Sequence, residues 1–154
     1  YYHHLLSLSL SLFIYLSSIT NERYTPLKIL ETHTHTYHTM LEFKGPYSSL
    51  SPDFPSEVFL VGDEKGFPSV THALEASKSD NEKTRNLIRT AESPAEAVAL
   101  TKKLDTSQWR QTALSTAEKL LRDKFVRYRH LRKVLLRTSG KDLVHTEGDF
   151  FWGA

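Results

Sequence analysis

Beyond residue 80, apolar residues recur at intervals of three and four, and that spacing predicts helices. Leu87, Ile88 and Ala91 place one over residues 81 to about 92. Ser93-Pro94-Ala95-Glu96 opens the next, which runs to about residue 104. Ser93 caps it, Pro94 suits its first turn and Glu96 completes a capping box. Asp105 or Thr106 caps a third helix. There Trp109, Ala113, Leu114, Ala117, Leu120, Leu121 and Phe125 form a broad apolar stripe. Leu131, Val134, Leu135 and Leu136 carry a last helix from near residue 128 to 138, with Gly140 as its stop.

Ahead of these the pattern changes. Residues 45–57 are rich in Gly, Pro and Ser and read as loop. Residues 58–61 are a short apolar run between turn signals, a strand by pattern. GDEKG at 62–66 turns the chain, Phe67-Pro68 pairs back, and a helix starts near Ser69. Residues 143–145 suit a second short strand. The class implied is α+β, predominantly helical: one compact domain with a few short strands and a small sheet at its entrance.

Charge divides the chain in two. Of 38 charged residues, only Glu22, Arg23, Lys28 and Glu31 precede Met40, the one methionine. Leu and Ser alternate strictly from Leu6 to Leu12, and Thr and His alternate over 32–36. Translated CT and CA dinucleotide repeats give these two patterns. Residues 1–39 therefore read as translated upstream sequence, a disordered leader, and residues 40–154 as the domain. Two rival readings of the leader are weaker. Residues 5–19 resemble the apolar core of a signal peptide but lack its basic flank and cleavage site. His33, His35 and His38 offer imidazoles to a metal only within a low-complexity tract. No metal site is expected. The chain has no Cys, which excludes disulfides, thiolate zinc sites and thiol nucleophiles. A net charge of +2 demands no polyanionic partner.

Three stretches carry candidate chemistry. Residues 122–137 hold seven Arg or Lys with Phe125, Tyr128 and His130 among them. A nucleic-acid surface has that composition. The apolar positions suit a core, however, so the cations read as the solvated face of two helices. Trp152 ends GDFFWG beside Asp149, in a loop, where an indole makes a pocket wall. Finally, FPSVTHALEASK at 67–78 places Thr71, Glu75 and Lys78 on one helical face beside small residues. That face suits a cleft, or a surface Glu–Lys pair.

The last stretch resembles the "YPSVEHxxQAxK" segment of the NADAR family, which includes riboflavin-intermediate N-glycosidases and ADP-ribose-processing relatives. The resemblance continues, in order, through IRTAESPAEAVALTKKL (88–104), SQWRQTALSTAEKLLRDKF (107–125) and LRKVLLRTSGKDLVHTEGDFFWG (131–153). It implies a compact, mostly helical fold. It also implies hydrolysis of a ribose N-glycosidic bond, with His72, Lys78, Asp149 and Trp152, and more weakly Trp109, lining the pocket. Where the family has Glu before the His, this chain has Thr71, which cannot act as a carboxylate. Glu75, one turn later, is the candidate substitute.

The expected catalytic residues are thus Glu75 and Asp149, and the substrate-binding ones Thr71, His72, Lys78, Trp109 and Trp152. The expected partner is a small ribosylated molecule, with no cofactor, no membrane and no nucleic acid. A place inside the cell, cytoplasmic or plastid, is expected. The alternative is a catalytically weakened relative that binds ribose phosphate or ADP-ribose without turnover. Family members continue past "WG", so the resemblance also implies that a C-terminal segment is lacking.

Overall fold

Helix α1 (Val70–Ala76) is buried on every side, and the domain is assembled around it. The structure, a computed structural model, describes residues 40–43, 48–139 and 141–145. The expectations for residues 1–39, for Asp149 and for Trp152 fall outside these. Around α1 lie α2 (Glu82–Arg89), α3 (Pro94–Thr101) and the long α4 (Trp109–Arg127), all three packed against it. Helix α5 (Arg129–Leu136) folds back on α4. Strands β1 (Met40–Phe43) and β2 (Asp142–His145) pair in parallel, with Met40 opposite Asp142 and Phe43 opposite His145. Parallel neighbours need a long crossover. Here the whole helical body supplies it. The domain is α+β and predominantly helical, as the pattern predicts.

Two apolar clusters hold it together. Val58, Leu60, Phe67, Ile88, Ala97, Ala117 and Leu120 pack around Val70, Ala73 and Leu74 of α1. Leu50, Phe125, Leu131 and Leu135 form the second, with Leu41, Phe43 and Leu143 of the strands against it. The alanines at 73, 76, 97 and 117 are fully buried and bring three helices close to α1. Each buried large side chain in such a core contributes about 1.5–3 kcal/mol.

Local signals fixed the helix starts well. Ser69 caps α1, Asn81 caps α2 through Lys83 and Thr84, and Ser93 caps α3. Ser93 Oγ accepts the Glu96 N–H at 3.2 Å, while Glu96 Oε2 accepts the Glu92 N–H at 2.7 Å. Ser93→Ala removes one side of this box at an exposed helix end. A loss of about 1 kcal/mol in chemical denaturation is expected.

Several expectations are corrected. Residues 58–61 do not form a strand. Val58 makes one antiparallel bridge to Phe67, and Val61 is exposed. Gly62 at φ 90° turns the chain between them. The sheet instead uses β1, which the pattern did not single out. Helix α4 starts at Trp109 with no capping side chain, because Asp105 Oδ1 bonds the Ser107 N–H and never reaches the helix. Leu114 lies on the expected stripe of α4 but is exposed. Lys124, expected on the solvated face, is fully buried. It falls seven residues after Ala117 and four after Leu120, so helical geometry puts it on the buried stripe.

Candidate functional site

A helix buried all round should be apolar throughout. Helix α1 is not: Thr71, His72 and Glu75 are buried in it, and Ser69 at its cap. Burying polar groups is costly unless they are bonded, so their partners define the site.

Glu75 has three bonds. Lys78 Nζ reaches both carboxylate oxygens at 2.7 Å, and the Thr101 hydroxyl of α3 donates to Oε2. Lys78 follows the helix cap and turns back over the last turn. Its ammonium lies 4.8 Å from the centre of the Trp109 ring, a cation–π contact. Trp109 in turn donates Nε1–H to Ser77 Oγ at 2.9 Å. Start of α4, end of α1 and end of α3 thus meet in one group of acid, ammonium, hydroxyl and indole.

One turn earlier, Thr71 donates its hydroxyl to Asp53 Oδ1, and its N–H to the Pro52 carbonyl at 3.2 Å. The loop holding Asp53 is pinned by Asp53 N–H to Ser51 Oγ at 3.2 Å. From the other side Lys124 donates to the Ser51 carbonyl at 2.6 Å. Its Nζ lies 5.3 Å from the ring centres of both Phe54 and Phe125. Burial pushes the Lys124 amine down to about 7, and the nearby Asp53 charge opposes that shift. His72 is held by Ser69 Oγ at 2.8 Å from Nδ1, while Nε2 is buried without a hydrogen bond. Burial lowers its pKa, against smaller raising effects of the Ala91 backbone, Asp53 and Glu96. The imidazole is therefore predominantly neutral at neutral pH, and Nδ1 shares one proton with Ser69 Oγ.

The structure brings Thr71, His72, Glu75, Lys78 and Trp109 around one helix. Asp149 and Trp152 lie outside the described residues. Sequence reasoning missed Asp53, Thr101 and Lys124. Only Lys124 left a signal, its place on the apolar stripe of α4. Asp53 is one acid in a Pro-rich loop, and nothing local marks it. A cleft of ≈ 220 Å³ lies nearby, lined by Phe59, Asp80, Arg85, Lys119 and others. It shares Ser77 with the Trp109 bond but includes neither Glu75 nor Asp53. Among the described residues no three His, Asp or Glu side chains gather as a metal site would require, and no helix is long and apolar enough to cross a membrane.

Comparisons with known proteins agree on one family. The NADAR domain model matches residues 31–154. N-glycosidase YbiA of Escherichia coli (strain K12) is 36% identical over 95 residues, and that of Shigella boydii is 35% identical. In both cases the match covers 59% of this chain and spans 59% of the relative's own length. The NMR structure of E. coli YbiA superposes with a TM-score of 0.63 at 28% identity, covering 77% of this chain and 76% of that one. With the family model matching most of its length, the chain belongs to the NADAR family.

Proposed function

We propose that this domain hydrolyses the N-glycosidic bond of a small ribosylated molecule, a riboflavin-pathway intermediate or an ADP-ribose adduct. The N-glycosidase relatives support the reaction class. The observation that carries the reading is the Glu75 carboxylate, buried and fixed by Lys78 and Thr101.

Cleavage of a ribosyl C1–N bond passes through an oxocarbenium-like state with positive charge on the sugar. A carboxylate whose charge is anchored in a site shielded from water stabilises such a cation more than a mobile one in solvent. Glu75 is held in that way. Its carboxylate is buried, ion-paired and accepts three hydrogen bonds, so its role is that of a counter-charge and not of a proton acceptor. Lys78 and Trp109 form the adjoining wall, with the ammonium available to a phosphate or pyrophosphate oxygen and the indole to the leaving ring.

Incubating the protein with a phosphoribosylamino-pyrimidine and counting free ribose 5-phosphate tests this. Glu75→Gln keeps the shape and removes the charge. A fall of about 100-fold in kcat is expected, the scale of losing one electrostatic stabiliser. Hydrolysis by the variant at the unmodified rate would rule the role out. Wild-type protein that binds this compound in calorimetry yet releases no ribose phosphate would point to the weakened relative, which Thr71 in place of a family Glu favours.

A further inference from the structure

Hydrolysis needs more than a counter-charge. Water adds its oxygen to C1 as the C1–N electron pair leaves with nitrogen, and one water proton must be accepted meanwhile. Glu75 is buried and held by Lys78, out of reach of a water that would give up that proton. The described residues hold a second carboxylate on the same face of α1. Thr71 and Glu75 are one turn apart, and Thr71 fixes Asp53.

We propose that Asp53 is the base that takes the proton from the attacking water, with Thr71 and Lys124 as its positioning residues. This rests on the hydrolytic reading above and completes it.

Four observations support the assignment. Asp53 is half-buried, whereas Glu75 is buried, so water reaches Asp53. The Thr71 hydroxyl binds Oδ1 only, and no described residue bonds Oδ2, which leaves a lone pair for a water. Asp53 is fixed from both ends, its carboxylate by the Thr71 hydroxyl and its backbone by its N–H donating to Ser51 Oγ. Behind it stands Lys124, buried and bonded to the Ser51 carbonyl of the same loop. The Asp53 charge favours the Lys124 ammonium. The atoms balance. Water oxygen joins C1, its proton passes to Asp53, and Asp53 returns that proton to the departed nitrogen. Two carboxylates flanking a glycosidic bond, one for charge and one for water, is a known division of labour.

Asp53→Asn tests it in the same ribose 5-phosphate assay. A fall in kcat of about 100-fold or more is expected, with KM changed little, since general-base catalysis contributes 10²–10⁴. The acid limb of the pH–rate profile should vanish with it. Thr71→Val should give a smaller fall, and Thr71→Ser should recover most of the rate. Wild-type turnover with Asp53→Asn retaining kcat within threefold overturns the assignment while leaving the hydrolase reading intact. Absence of wild-type turnover overturns both. The tie to Lys124 has its own readout. Titration of the isotope-labelled lysine amine should show a lower Lys124 pKa in Asp53→Asn than in wild type. An unchanged value removes Lys124 from the positioning role.

Discussion

Lys124→Met is expected to make the protein more stable near pH 7, and to abolish a rise in stability between pH 7 and 10.5. Lys124 is sealed inside, with the Ser51 carbonyl as its hydrogen-bond partner and two phenyl rings beside it. Its pKa is lowered from 10.5 to about 7 in the folded protein. Between those values the unfolded chain holds more protons than the folded one, so stability climbs with pH across that window. Above it the amine is neutral in both states, and below it charged in both. The full burden of burying the ammonium is present at pH 7 and below. At 1.36 kcal/mol per unit, a shift from 10.5 to about 7 corresponds to roughly 5 kcal/mol.

Methionine fills similar volume and carries no charge. It also leaves the Ser51 carbonyl without its donor, a cost of about 1–3 kcal/mol. The expected net gain is about 2–4 kcal/mol at pH 6 to 7. Near pH 10.5 the order reverses, because only the lost hydrogen bond remains. Denaturation midpoints of both proteins across this range check the crossing. Equal stabilities at every pH would mean that the Lys124 charge is solvated in the folded state. If Asp53 acts as proposed, the stabler variant is also slower, since the donor that pins the Ser51 carbonyl, and with it the loop of Asp53, is gone. A buried lysine kept at such cost is then explained by what it does for its neighbour.

Local order was readable in the sequence because it depends on near neighbours. The cap expected at Ser93 and the helix starts expected near Ser69 and Asn81 are decided within three residues, and the structure has caps at all three. The apolar stripe gave α4 its buried side, and ran wrong at Leu114 because helical spacing does not say which edge of a stripe a neighbouring helix covers. The sheet was legible on one side only. β2 has an apolar run, whereas β1 lies at the break between two kinds of sequence, and its partner is about 100 positions away. The site divides similarly. Thr71, His72 and Glu75 share one helix and Lys78 follows its cap, so spacing alone groups them. Asp53, Thr101 and Lys124 reach that helix from three other segments. Their meeting is a product of packing around α1, which no window of sequence displays. The resemblance marked Thr71 as a missing acid. The fold places an acid from the loop against that same threonine.

Lys78→Met is expected to cost both stability and turnover, by separable routes. The Lys78 and Glu75 side chains are 14% and 7% exposed, so their ion pair is nearly withdrawn from solvent. Removing the cation leaves a buried carboxylate with only the Thr101 hydroxyl. Breaking a buried pair from one side costs about 3–5 kcal/mol. Partial exposure of Lys78 reduces this to about 2–4 kcal/mol. Glu75→Gln is milder, about 1 kcal/mol, because an amide still bonds Thr101 and the ammonium keeps its place over Trp109. The double variant has no stranded charge and should lie near the Glu75→Gln value. The four proteins then give a coupling energy of about 2–4 kcal/mol in denaturant titrations. Simple addition of the two losses would mean that the pair is not coupled. Turnover should behave otherwise. The double variant regains stability but not hydrolysis, because the counter-charge for the ribosyl cation is absent whatever Lys78 becomes. Stability and rate parting in that way would place Glu75 in the chemistry and not merely in the fold.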